Sequence, residues 1–286
     1  MYDTQAQVDS LIKELEVTHM PKTKYAYATF KGTKIVNAQS VEMPDQGVLQ
    51  FHIGHRFGRV NSGAYNFFGL DEATIRIGLD YGISKWLSVG VGRSKIQKAY
   101  DGYFKAKLLR QSIGEKKIPF TVVLYSTVAI NTERIPVQDF EMKFKHKLVY
   151  TTQLLVARKL NEIFSLQIMP SYTHKNLVVS ADLENDLFAL GTAARAKLTK
   201  RIALTAEYFA LMPGPTADIT DNALSLGFDI ETGGHVFQLH LTNSPGMIDA
   251  QFIPSTVGKW SKGDIIFGFN ISRVFTIVKN KSLRKK

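Results

Sequence analysis

The chain has no cysteine, which removes disulfides, thiolate metal sites, a thiol nucleophile and haem attachment through Cys-x-x-Cys-His from consideration. It also lacks any stretch approaching the roughly 20 apolar residues that a spanning helix needs, so a membrane span would have to be built from strands. The first residues, "MYDTQAQVDSLIKELEV", contain neither an apolar h-region nor a cleavage site, and the expectation is that a signal peptide has been removed ahead of this numbering. Gly-x-Ser-x-Gly, His-Glu-x-x-His and a Walker ending are missing. "GVGRSK" at 90–95 reads instead as a strand whose inward glycines make room.

What is present is alternation. In "VLQFHIGHRF", Leu49, Phe51, Ile53 and Phe57 share one face opposite Gln50, His52, Gly54 and Arg56. "TIRIGLDYG", "FSLQIMPSYT", "IALTAEYF", "NALSLGFDI" and "HVFQLHL" repeat this period of two, the mark of strands with unlike faces. Near the C-terminus, "GDIIFGFNISRVFTI" sets Ile265, Phe267, Phe269 and Ile271 against Gly268, Asn270 and Ser272. Lipid outside and a packed polar lumen inside account for both faces. A soluble β-sandwich alternates too, and connection lengths separate the two. Candidate strands fall near 46–57, 72–82, 85–94, 98–109, 117–130, 146–158, 163–173, 187–198, 201–211, 222–231, 234–242 and 264–277. "GIS", "KLNE", "LTK" and "ETGG" are tight, whereas 58–71, 131–145, 174–186, 212–221 and 243–263 are long. Short periplasmic turns alternating with long outer loops describe an outer-membrane barrel. The expectation is an all-β antiparallel transmembrane β-barrel of about twelve strands. "SKIQ", short for an outer loop, and "RQSIGEKK", long for an inner turn, leave ten or fourteen open. Tyr81, Trp86, Tyr150, Tyr208 and Trp260 suit interfacial girdles.

Three regions follow: 1–45, a periplasmic or plug-like segment; 46–277, the barrel; and 278–286, a basic tail. In the first, Val8, Leu11, Ile12 and Leu15 have helical spacing, with Asp9 or Ser10 as N-cap. "KYAYATFKGTKIVN" reads as extended. Packing across the barrel mouth is the leading expectation; a mobile tail and a plug threaded into the lumen are the alternatives.

Strand parity sends His52, Arg56, Arg76, Asp80, Lys105, Lys107, Arg195, Lys197, Glu207, Asp229 and His240 into the lumen. The plain reading is a paired, hydrogen-bonded filling, because buried charges need partners or water. The functional reading is a modestly basic path for small polar or anionic solutes. A lipid-modifying site would use His52 or His240 as base, with Ser225 or Asp229 beside His240. No cofactor or metal is expected, since His52 and His55 point to opposite faces of one strand. The net charge of +11 raises nucleic acid, but the basic residues are scattered and the one dense run is "KNKSLRKK", so none is expected as a partner. The expected partners are outer-membrane lipid, the barrel-assembly machinery, and a small solute or an envelope protein bound at the outer loops. In the long loop 243–263, Met247, Ile248, Phe252, Ile253 and Trp260 would fold back over the mouth or form a contact patch.

"HRFGRVNSGAYNFFGLDEATIRIGLDYG", "YDGYFKAKLLRQ", "ETGGHVFQLHLTNS" and "GFNISRVFTI" resemble recurring blocks of an outer-membrane β-barrel family of Bacteroidota bacteria. "ATFKGTKIVNAQSVE" resembles that family's segment ahead of the barrel. The resemblance implies a fold and a compartment but no substrate or reaction. The final strand also resembles the signal by which barrel-assembly machinery recognises its substrates, with Phe269, Ile271 and Phe275 as its residues, although that signal commonly lies at the extreme C-terminus.

Overall fold

The structure is a computed structural model that describes residues 22–133, 141–178, 180–233 and 235–278. The N-terminal helix expected around Val8–Leu15 and nearly all of the basic tail lie outside the described residues. Twelve strands form one closed antiparallel barrel, at or close to every expected position. They are β1 (Val48–Arg59), β2 (Thr74–Gly82), β3 (Leu87–Ser94), β4 (Tyr100–Leu109), β5 (Thr121–Ile130) and β6 (Leu148–Lys159). After these come β7 (Phe164–Lys175), β8 (Asp186–Lys197), β9 (Ile202–Leu211), β10 (Ala223–Thr232), β11 (His235–Thr242) and β12 (Ile266–Thr276). Each strand pairs with the next, and β12 closes on β1 with Ile271 opposite Ile53. Closure leaves no open sheet edge, the condition for strands to span a bilayer.

The two faces follow sequence parity. Ile75, Ile77, Leu79, Phe104, Phe188, Phe228 and Leu239 are exposed on the outer wall, while the alternate residues are buried inside. Such a surface is inside-out for water and suited to lipid. Apart from the connections 95–99 and 110–120, the tight turns share one rim with both chain ends of the barrel, the terminal end, and the long connections share the other, the loop end.

Lumenal glycines receive rings from the neighbouring strand. Gly90 lies opposite Tyr103 and Gly191 opposite Phe209. In each case the aromatic ring occupies the space where a glycine Cβ would stand. A side chain there would evict the ring, so the "GVGRSK" glycines serve packing.

The two misfit connections have separate explanations. "SKIQ" closes in a single tight turn, Ile96–Lys98, with positive φ at Gln97 and Lys98. The long inner turn 110–120 carries a short extended piece, Ser112–Ile113, that pairs with Lys24–Tyr25. Its length is used to hold the segment leading into the barrel.

That segment corrects the leading expectation for residues before 46. Rather than lying across the mouth as an extended strand, the chain from Ala28 to Glu42 turns inside the barrel. A hairpin-like reversal is closed by the Ser40 N–H to Thr33 O bond at 2.9 Å and the Ile35 N–H to Ala38 O bond at 2.8 Å. Phe30, Ile35, Val36, Ala38 and Val41 are all buried.

Candidate functional site

The lumen is built from three contributors: the wall, the N-terminal hairpin entering from the terminal end, and the loop 243–258 folding in from the loop end. The hairpin has no regular ladder with the wall, so its backbone groups must find partners elsewhere. Wall side chains supply them. Glu207 accepts three main-chain N–H bonds from the hairpin tip: Val36 at 3.0 Å, Asn37 at 2.8 Å and Ala38 at 3.0 Å. Lys105 does the reverse, its ammonium donating to the carbonyls of Thr33 at 2.9 Å, Ser40 at 3.0 Å and Glu42 at 3.1 Å. A carboxylate has only acceptors and an ammonium only donors, so each suits one kind of backbone group. Charge-assisted bonds are also stronger than neutral ones.

Around this clamp, Arg195 donates to Ala28 O at 2.9 Å, Gln238 to Ile35 O at 2.7 Å, and Asn270 to Val36 O at 2.9 Å. Arg56 donates to the Asn37 side-chain oxygen at 2.7 Å. Gln167 accepts from Val41 N–H at 3.0 Å and donates to Gln39 O at 2.8 Å. Two wall pairs lie beside these: His52 with Asp80 at 2.7 Å, and Arg76 with Asp101. Tyr103 donates to the other oxygen of Asp80.

The structure thus buries His52, Arg56, Arg76, Asp80, Lys105, Arg195, Glu207, Asp229 and His240 inside the barrel, with Lys107 and Lys197 half-buried toward the terminal end. His240 stands apart: neither ring nitrogen has a hydrogen-bond partner among the described residues. Ser225 is engaged with Asn37 at 3.1 Å and Thr242 at 2.9 Å, and Asp229 receives Gln238 at 2.9 Å. The His240, Ser225 and Asp229 grouping is therefore not assembled as a nucleophile and base. His55 faces outward, stacked on Phe269 at 4.9 Å. Phe269 and Ile271 lie on the outer wall, and Phe275 sits under Arg273 near the strand end.

Sequence reasoning missed the hairpin's own residues, together with Asp101, Tyr103 and Tyr125. Strand parity with Lys105 would have found the first two. It also missed a sector of the wall that is apolar. Val123, Leu155, Met169, Ala193 and Phe209 face inward and share one core with Phe30, Ile35, Ala38 and Val41 of the hairpin and with Phe252 and Ile253 of the loop. Phe252 meets Phe209 edge to face at 5.0 Å between ring centres. Asp249 beside it accepts from Tyr125 at 2.6 Å and Gln153 at 3.1 Å. The loop thus folds back into the barrel, except for Trp260, which bonds Leu224 O at its rim at 3.1 Å. Hairpin and loop meet where Lys34 approaches Met247 O at 3.4 Å. The cavity left at their junction, lined by Lys34, His52, Arg56 and Arg76 among others, has room for about one water molecule.

At the loop end, Asp264 ties two connections together. It accepts from Arg59 at 3.1 Å, Asn61 at 2.9 Å and Lys259 N–H at 3.0 Å. The Lys259 amide, then Asn61 and Arg59, hold its carboxyl below the usual carboxylate range.

A closed barrel with an apolar outer wall and a lumen filled from both ends defines a membrane-spanning β-barrel with an internal plug. The family comparison agrees: residues 30–275 match the model described as "Membrane bound beta barrel domain (DUF5777)", and the chain belongs to that family. No curated protein matches the chain. Among solved structures, the NanC porin is 8% identical with a TM-score of 0.48, covering 79% of this chain and 98% of its own. The KdgM porin in complex with disordered oligogalacturonate is 8% identical with a TM-score of 0.47, covering 80% and 99%. OmpF of Salmonella typhi, in complex with daunomycin, is 9% identical with a TM-score of 0.40, covering 80% and 97%.

Proposed function

We propose that this chain is an outer-membrane barrel sealed by its own N-terminal hairpin, and that it serves as a non-conducting membrane scaffold whose loop end binds an envelope partner. The observation carrying this is the apolar core shared by hairpin, loop and wall. A wall shaped for a water-filled pore would have no use for inward Val123, Leu155, Met169 and Phe209. Withdrawing the hairpin would expose Phe30, Ile35, Val36 and Val41, at about 1.5–3 kcal/mol each, or about 6–12 kcal/mol. That burial, together with the main-chain hydrogen bonds to Glu207 and Lys105, opposes withdrawal against the chain entropy that withdrawal would release. Tyr65, Phe67 and Phe68, exposed on the β1–β2 loop, are the groups offered to a partner. In this reading the terminal end faces the periplasm, and β12, with Phe269, Ile271 and Phe275, carries the assembly signal.

A second reading is favoured by the other half of the wall. His52, Arg56, Arg76, Asp80 and Lys105 lie inward on β1, β2 and β4, with the small Ser88, Gly90 and Gly92 of β3 between β2 and β4. With the hairpin displaced, that sector would line a path for small anions. Single-channel recording on the full chain in a planar bilayer separates the two. A silent membrane with insertion verified by protease protection supports the sealed scaffold. Steady ion-selective openings would overturn it and turn attention to Arg56, Arg76 and Lys105.

A further inference from the structure

The charge of this barrel is distributed unevenly. In the lumen the cations Lys34, Arg56, Arg76, Lys105 and Arg195 are matched in number by Asp80, Asp101, Glu207, Asp229 and Asp249. Among the described residues the loop end also carries as many carboxylates as Lys and Arg. The excess lies at the terminal end, where among the described residues cations outnumber carboxylates by more than two to one and only Glu42, Asp45, Glu115, Glu162 and Glu231 oppose them.

The cations there alternate with exposed apolar groups. The β2–β3 turn presents Ile83, Lys85 and Trp86; the β6–β7 turn, Lys159, Leu160 and Ile163; the β8–β9 turn, Leu198, Lys200 and Arg201. Outward arginines lie over outward rings: Arg158 over Phe120 at 5.6 Å and Arg273 over Phe275 at 5.0 Å. A rim built only to meet a soluble polyanion would have no need of exposed Trp86, Leu160 and Leu198. Large apolar groups and rings interleaved with Lys and Arg are instead the pattern of a headgroup zone.

We infer that the terminal rim is a ring-shaped binding surface for anionic phospholipid headgroups, seated in the leaflet at that end. The apolar residues reach the acyl boundary, while the cations hold phosphate and add attraction for negatively charged lipid. This goes beyond the scaffold reading and does not depend on whether the barrel conducts.

The test is native mass spectrometry of the full-length protein released from bilayers containing equal amounts of phosphatidylcholine and phosphatidylglycerol. At low salt the retained lipid should favour phosphatidylglycerol by about tenfold, roughly one to two cations' worth of surface attraction. High salt should remove the preference by screening. Combining Lys85→Glu, Lys116→Glu, Lys200→Glu and Arg201→Glu should bring the ratio to parity. Combining Lys98→Glu, Lys143→Glu, Lys145→Glu and Lys262→Glu at the loop end should leave it unchanged; all eight residues are exposed. Parity in the unmodified protein, or equal loss in both variants, overturns the inference. So does parity accompanied by tight binding of soluble polyglutamate to the protein in neutral micelles, since that would identify an acidic macromolecule as the partner.

Discussion

Replacing Glu207 with alanine isolates the contact on which the hairpin's seating turns. The substitution strips the acceptor from three buried main-chain N–H groups, those of Val36, Asn37 and Ala38. Each orphaned donor costs about 1–3 kcal/mol, a gross loss of about 3–9 kcal/mol. Two effects reduce it: the buried carboxylate's desolvation cost disappears, and water can occupy the vacated space. A net loss of about 3 kcal/mol in the seating equilibrium is the expected outcome. Because the chain has no cysteine, a single Gln39→Cys gives a labelling site with no background, on a residue that is 1% exposed. When reseating is faster than labelling, the modification rate follows the unseated fraction. Glu207→Ala should therefore speed maleimide labelling at position 39 by about a hundredfold. Heat-shifted gel mobility should still report a closed barrel, and Glu162→Ala, at an exposed turn, should leave the rate alone. A rate within about threefold of the parent would refute the idea that Glu207 seats the hairpin.

Three further outcomes are expected. Phe252→Ala removes the loop's deepest ring from its contact with Phe209 and should cost about 3–5 kcal/mol, measured as a lowered denaturant midpoint in micelles. Gly82→Val places a side chain where the Pro44 and Asp45 backbone runs against β2; labelling at Gln39→Cys should rise, and an unchanged rate would mean that the segment leaves the barrel by another route. Asp264 favours its ionised form in the fold, so the stability it lends is present above the ordinary carboxylate pKa and is lost as pH falls through its lowered one. Protease nicking in the β1–β2 and β11–β12 loops should increase below about pH 4, and Asp264→Asn should abolish that pH dependence.

The strands could be read because the bilayer imposes a simple rule on them: outward residues must be apolar, and inward ones are free to be polar. Ile75, Ile77 and Leu79 against Arg76 and Asp80 display that rule within six residues. The hairpin obeys no such local rule. Its partners are Lys105, Gln167, Glu207 and Asn270, distant in sequence, and "ATFKGTKIVNAQSVE" has no period to betray a segment whose backbone is satisfied by other elements' side chains. Residues 110–120 looked like a poor turn because the strand they pair with, Lys24–Tyr25, is supplied by that same segment. The inward apolar residues of β5–β9 were hidden for a related reason. On a strand apolar on both faces, as in Val122–Val123–Leu124, alternation disappears and parity must be borrowed from the neighbours.

The Gly47 carbonyl, which ends the inserted segment, accepts the N–H groups of Ile277 at 2.9 Å and Val278 at 3.0 Å. Those residues directly follow β12, so the point where the plug leaves the lumen is also the clasp on the β12–β1 seam. Few contacts in the chain span a greater sequence distance, and contacts of that kind form slowly because so much chain entropy must be lost first. Barrel closure and the fixing of the plug's exit both wait on the last strand, so seating of the hairpin is expected late in folding. Until the last strand has been delivered, the hairpin has no finished chamber to occupy.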